Sequence, residues 1–387
     1  MKLGFTASFC LFVLFLLLFS LSADSPVSLH LASAETPSFH AQVGPIDNIR
    51  VVENLSLGSA KAPEDLVYDP ANKNIYVTDE KSGTVSVINT KDNRLEATIA
   101  TGGYPVSPIY DPANRDIYVC NYASGTVSVI DGSTNKVIAN VQTGEYTNSG
   151  SFDPESKDVF VTVYGTDYVD ALSSSKPIGI VASIYLGQYF GPMSVLYNPY
   201  NKNVYVSGWA QDNVSVISSK TNKVVAIIPV GANPQSLAYD PSSRTVYVAN
   251  ELGSSVSIIS SVNNKVVKIL TVGYLPVSII YDPSNNEMYV DCADSDILSV
   301  INATSNAVLG TVSVGSRPFD IIYDPANEEV YVTHFHESGK LWIVNENNEV
   351  TGKLTLGGLT IAEAYASSSK EVYVTCFDSN RVIVVSS

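Results

Sequence analysis

His334 and His336 stand one residue apart and are the only histidines beyond residue 40. In an extended segment alternate side chains face the same way, so both imidazoles could meet one ion. Asp291 and Asp294 fall in the corresponding loop of the preceding sequence repeat and could add oxygen ligands. His-x-His arises often by chance, and no Cys-x-x-Cys or His-Glu-x-x-His accompanies it. A divalent metal held by these four side chains therefore stands against two solvated surface histidines and no cofactor at all.

Aromatic side chains form the second set. Tyr122, Tyr164, Trp209, Phe335 and Phe377 share one repeat position, and Tyr104, Tyr146 and Tyr274 follow the glycine that closes a unit. Rings interleaved with Asp, Asn and Glu stack on sugars or grip a partner's side chains, which points to a carbohydrate or protein ligand. The alternative is that the rings pack loops against one another. No Gly-x-Ser-x-Gly elbow, haem-attachment motif or Gly-Lys-Ser phosphate loop is present, so no catalytic residue is singled out. A net charge of −16 and a pI near 4.6 repel phosphate backbones and exclude nucleic acid as a natural partner.

These residues are carried by a repeat of about 42 residues. Tyr-Val pairs begin at Tyr76, Tyr118, Tyr205, Tyr247, Tyr289, Tyr331 and Tyr373, with Phe160 in the remaining slot. Each unit reads as four short strands rich in Val, Ile, Thr and Tyr, separated by an Asp-Pro turn, a Ser-Gly turn and a Thr-Asn-Lys turn. A period of this size with four strands per unit predicts an all-β propeller. The first three strands occur eight times, and a fourth-strand copy over 50–58 precedes any complete unit, while the last unit stops after its third strand. The spacing predicts eight four-stranded blades, with the N-terminal strand closing the C-terminal blade; seven remain if the terminal copies stay out of the ring. In blade 3 the third strand, from Tyr168 to Leu172, departs from the Val-Ser-Val-Ile pattern and reads as degraded.

Tyr76-Val77-Thr78-Asp79, Tyr118-Val119-Cys120-Asn121 and Tyr247-Val248-Ala249-Asn250, with Tyr-Asp-Pro-Ala-Asn before and Val-Ser-Val-Ile after, resemble the YVTN β-propeller repeat family. The resemblance covers roughly 49–387. It implies an exported propeller akin to surface-layer and secreted proteins, and it implies no single activity.

Lys2 followed by an apolar run from Phe5 to Leu21 and small residues to Ala34 reads as a secretory signal over 1–34, cleaved or retained as an anchor. Residues 35–48 read as a linker and 49–387 as one propeller domain. Asn54, Asn213 and Asn302 head glycosylation sequons. Cys120, Cys292 and Cys376 are an odd set in different units, expected to be buried and unpaired. The function expected is a secreted or cell-surface binding or envelope-layer module acting through its variable loop face, with no membrane contact beyond the anchor. The alternative is a metal-dependent extracellular enzyme of lactone-hydrolase or lyase type.

Overall fold

The structure, a computed structural model, describes residues 38–39, 49–59, 61–335 and 339–386. The expected signal, His336 and most of the expected linker lie outside these residues. Among the described residues no helix is long and apolar enough to cross a membrane.

Eight four-stranded antiparallel sheets form the fold. Blade 1 comprises Pro63–Asp69, Asn74–Asp79, Thr84–Asn89 and Arg94–Ala100. Blades 2 to 7 span 105–142, 147–185, 192–229, 234–271, 276–313 and 318–355. Blade 8 takes three strands from 360–386 and its outermost strand, Val51–Ser56, from the other end of the chain. Leu55 lies opposite Val382 and Glu53 opposite Val384 in that seam. The first strand of each blade packs against the first strands of both neighbours, and that of blade 8 against blade 1, so the ring is closed with eight members.

The second and third strands of each blade are buried on both faces, as in Asn74–Asp79, where every residue is buried. That is why they carry Tyr-Val and Val-Ser-Val-Ile rather than strict alternation. The fourth strands alternate exposed and covered residues, as in Lys223–Pro229. Ser38–Phe39 adds a short parallel strand outside blade 6, opposite Thr311 and Val312, within the stretch expected to be linker.

The invariant turns staple blades together. Asp69 Oδ1 accepts the Ala71 N–H at 2.7 Å. Asn72 Nδ2 donates to the Tyr76 hydroxyl and to the Gly132 carbonyl of blade 2, each at 2.7 Å. Asn135, in the Thr-Asn-Lys turn of blade 2, has φ +55°, a left-handed conformation that Asn tolerates best among residues with a side chain.

The third strand of blade 3 is not degraded. Tyr168–Ser173 pairs in unbroken register with Asp158–Val163. The extra residues fall instead in a six-residue turn, 174–179, and a six-residue crossing, 186–191, beside a fourth strand of six residues, Ile180–Tyr185. Leu172 and Val169 still face the core, which is what the strand requires. Cys120, Cys292 and Cys376 are buried and unpaired, as expected.

Candidate ligand site in the central channel

Every blade's first strand carries a β-bulge near its start, where two consecutive residues oppose one or none on the second strand, as between Pro63 and Leu66. A bulge re-aims side chains, and here it turns both residues toward the axis. Where the second strand supplies a hydroxyl, that hydroxyl satisfies the freed backbone: Thr78 Oγ1 accepts the Asp65 N–H and donates to the Asp65 carbonyl, both at 3.1 Å. Ser207 does the same for Ser194, and Thr375 for Ala362.

The result is a cavity of about 240 Å³ on the axis, lined by two residues from each of the eight blades. One layer holds Ser107, Ser149, Ser194, Ser236 and Ser278 in blades 2 to 6, Ala362 in blade 8, and carboxylates in the same slot at Asp65 and Asp320 in blades 1 and 7. The adjoining layer places Glu64, Asn148 and Gln235 among the apolar Val106, Met193, Val277, Phe319 and Ile361. None of these sixteen residues is basic.

The carboxyl groups here have no compensating cation. Burial raises the Asp65 carboxyl to about 6. Burial and then the charge of Asp65 raise Asp320 to about 7, despite a 3.0 Å hydrogen bond from Ser278 Oγ. Glu64 is pushed well above the ordinary range by burial, then by Glu80 and Asp65. Behind this wall Asp291 replaces the hydroxyl that other blades place opposite the bulge, and it lies opposite Ser278. It is fully buried, neither oxygen has a hydrogen-bond partner, and burial followed by Asp320 holds it well above the usual carboxylate range. Glu363 is raised likewise by burial and then Asp320. Burial thus raises all five carboxyls, three lining the cavity and two behind its wall, with no basic side chain among the lining residues.

The two loop sets expected to share a face do so. The Tyr122 N–H donates to the Tyr104 carbonyl at 2.9 Å and the Tyr146 N–H to the Tyr122 carbonyl at 3.0 Å. Tyr122 and Tyr146 rings stand 4.9 Å apart, and Phe335 lies 5.5 Å from the channel-lining Phe319. Burial, then the neighbouring Tyr146, Tyr164 and Glu64, raise the Tyr122 hydroxyl above its ordinary range. Trp209 Nε1 donates to Glu251 Oε2 at 2.8 Å, across blades 4 and 5. Lys81 Nζ sits 5.3 Å over the Phe377 ring. Tyr122, Tyr164, Trp209, Phe335 and Phe377 are all half-buried, whereas Tyr274 is 69 % exposed and Tyr104 points outward too. The shared repeat position is completed by Glu80, Glu251 and Ala293, all buried.

The metal candidates are not brought together. His334 is fully buried, with Nε2 at 2.6 Å from the Val314 carbonyl and Nδ1 at 3.1 Å from the Lys340 carbonyl. Burial lowers it to about 4, so it is a neutral core side chain at physiological pH. Asp294 is exposed while Asp291 is buried. Among the described residues no group of three or more His, Cys, Asp and Glu side chains could hold a metal ion. Of the sequons, Asn54 is exposed on the closing strand; Asn213 and Asn302 are half-buried, and the Asn302 side-chain oxygen accepts the Ser305 N–H at 2.8 Å.

Loop comparison overlooked the channel layer. The signal was present as Pro-x-Ser at 105–107, 192–194, 234–236 and 276–278, with Asp65 and Asp320 in the serine slot.

Fold and channel together define an eight-bladed β-propeller with an acid-lined axial cavity. Residues 47–224 match the family described as "Lactonase, 7-bladed beta-propeller". Among solved structures the chain is similar to a chain of Kuenenia stuttgartiensis hydrazine synthase, at 16 % identity and a TM-score of 0.61, covering 85 % of this chain and 97 % of that one. That likeness is one of fold. No curated protein matches the chain.

Proposed function

We propose that this chain is an exported ligand-binding propeller of YVTN type whose variable aromatic face leads a small polar molecule into the axial cavity. The observation that carries this is the layer in which Asp65 and Asp320 flank a run of five serines. A structural layer would repeat one residue; a layer that departs from serine at Asp320, Ala362 and Asp65 in three adjacent blades, in a cavity with room for several waters' worth of ligand, supports recognition. The exported, surface-exposed role rests on the apolar N-terminal run and on the repeat resemblance, and a carbohydrate or protein partner would meet Tyr122, Trp209 and their neighbours on the loop face.

A ligand-observed NMR screen of a mixed small-molecule library against wild type and Ser236→Trp tests the channel. Fragments should bind wild type and be released by the plugged variant, whose melting temperature reports that it folds. Absence of any binder, or equal binding to both proteins, would rule the channel out.

A second reading is favoured by the match over 47–224: hydrolysis of a lactone. Asp320, raised to about 7, is poised as a general base that could take a proton from water attacking the ester carbonyl, leaving a ring-opened hydroxy acid. Turnover of a lactone panel that falls at least a hundredfold in Asp320→Asn would support it; no turnover by wild type would end it. A metal-dependent version would need ligands beyond the described residues.

A further inference from the structure

We infer that the channel selects small organic cations, seating an ammonium group among Glu64, Asp65 and Asp320. This rests on the channel being the ligand site and adds the sign and chemistry of what enters.

Four observations carry it. Serine is the repeated residue of the layer, and both polar departures from it are carboxylates rather than one of each charge. Glu64 is only 5 % exposed and Gln235 only 9 %, both line the cavity, and Glu64 Oε2 and Gln235 Oε1 have no hydrogen-bond partner. A buried acceptor without a donor is unfavourable, and a cation beside Glu64 also favours the ionised carboxylate, which accepts. An ammonium group brings up to three donors and a full positive charge, which answers both deficits at once. No Lys, Arg or His lines the cavity to compete for them.

A bare metal ion fits less well. No three metal-binding side chains cluster among the described residues, and a cavity of about 240 Å³ with apolar patches at Met193 and Phe319 suits an alkyl chain beside the charge. An anion would meet three carboxyls and no basic side chain, so sugar acids and phosphates are disfavoured by charge.

Isothermal titration at pH 8 with 1,5-diaminopentane, 1,5-pentanediol, glutarate and magnesium chloride tests the sign. The diamine should bind, with affinity at least tenfold above the diol and no heat from glutarate. Asp65→Asn, Asp320→Asn and Glu64→Gln should each weaken the diamine at least tenfold. These variants remove uncompensated buried charge, so their melting temperatures should not fall. Preference for the diol or glutarate, tighter binding of magnesium than of the diamine, or diamine affinity unchanged in all three variants would overturn the inference. Fragments that are neutral or anionic yet displaced by Ser236→Trp would leave the channel as ligand site while overturning its charge selectivity.

Discussion

The hydroxyl of Tyr76 in blade 1 donates to Oδ1 of Asn135 in blade 2 at 2.6 Å, across 59 residues of sequence. Tyr205 and Asn264 repeat the bond at 2.6 Å between blades 4 and 5, and Tyr247 and Asn306 repeat it at 2.6 Å between blades 5 and 6. Tyr373 makes it to Asn93, from blade 8 to blade 1. In these four blades the Tyr of the Tyr-Val pair and the Asn of the next blade's turn are a two-part fastening, whereas Tyr118, Tyr289 and Tyr331 accept from Asn114, Asn285 and Asn327 of their own blades. The Asn serves twice, adopting a positive φ and presenting its oxygen to the neighbouring blade.

Replacing Tyr205 by Phe keeps the ring and removes the hydroxyl. The loss of one buried hydrogen bond, with Asn264 left short of a donor, should cost about 1–2 kcal/mol. Calorimetry should show a lower melting temperature for Tyr205→Phe and a higher one for Phe160→Tyr, because Asn222 in the turn of blade 4 holds a buried side-chain oxygen with no hydrogen-bond partner.

Asp79 gives an internal control on buried charge. Its Oδ2 accepts from Lys61 Nζ at 3.2 Å, Thr84 Oγ1 at 2.8 Å and Ser86 Oγ at 2.8 Å. Asn121 fills the same slot in blade 2 and bonds Thr126 and Ser128. Asp79→Asn should therefore change stability by less than about 1 kcal/mol, whereas Asp79→Leu, which strands Lys61 and both hydroxyls, should cost about 3 kcal/mol or more. Comparison of urea midpoints for the two variants decides this.

The channel acids predict an inverted pH dependence. Burial raises Asp65 to about 6 and Asp320 to about 7, and Glu64, Asp291 and Glu363 go well above their ordinary range, each above the unfolded value near 4. A carboxyl whose folded pKa is raised stabilises the fold most when protonated, and that contribution is lost as pH rises through the folded value. His334, lowered to about 4, acts in the opposite sense below its unfolded value near 6.5, but it is one group against five. The melting temperature should rise as pH falls from 8 to 5.5, and the slope should shrink in Asp320→Asn. A melting temperature that falls over this interval would contradict the burial of uncompensated carboxyls.

Much of the fold could be read in the sequence because each turn has its own chemistry and the turns recur on a fixed period. Asp69, Asn72 and Asn135 are local requirements, and local requirements repeat. The seam was legible for the same reason, since a fourth-strand copy at 50–58 had no first three strands before it. The channel was not, because its residues look like ordinary strand positions. Ser107 and Asp65 sit two residues after the proline that opens the strand, and only the bulge, which that spacing does not announce, turns the position toward the axis. His334 misled in the reverse direction: a pair of imidazoles suggests an ion, yet this one occupies the slot of Asp79, Asn121 and Asn250 and serves the backbone of its own blade and its neighbour. Among the loop aromatics, Tyr122 and Phe335 are half-covered by Tyr146 and Phe319 rather than laid out as an open platform.

The seam also carries a test. Deleting 51–56 should leave the edge of Arg381–Ser386 unpaired, with Val382 to Val385 exposing N–H and C=O groups. Size-exclusion chromatography should then show dimers or larger species where the parent elutes as a single smaller one, and an added synthetic peptide of residues 50–58 should restore the parent elution.

Because blade 8 draws on both ends of the sequence, the circle cannot shut until the ribosome has delivered nearly everything. Val51–Ser56 must wait, solitary, through the synthesis of seven blades before its mate emerges. Built this way, Val51–Ser56 and Arg381–Ser386 each keep an unpaired strand edge until they meet, and ring closure is the step that covers both.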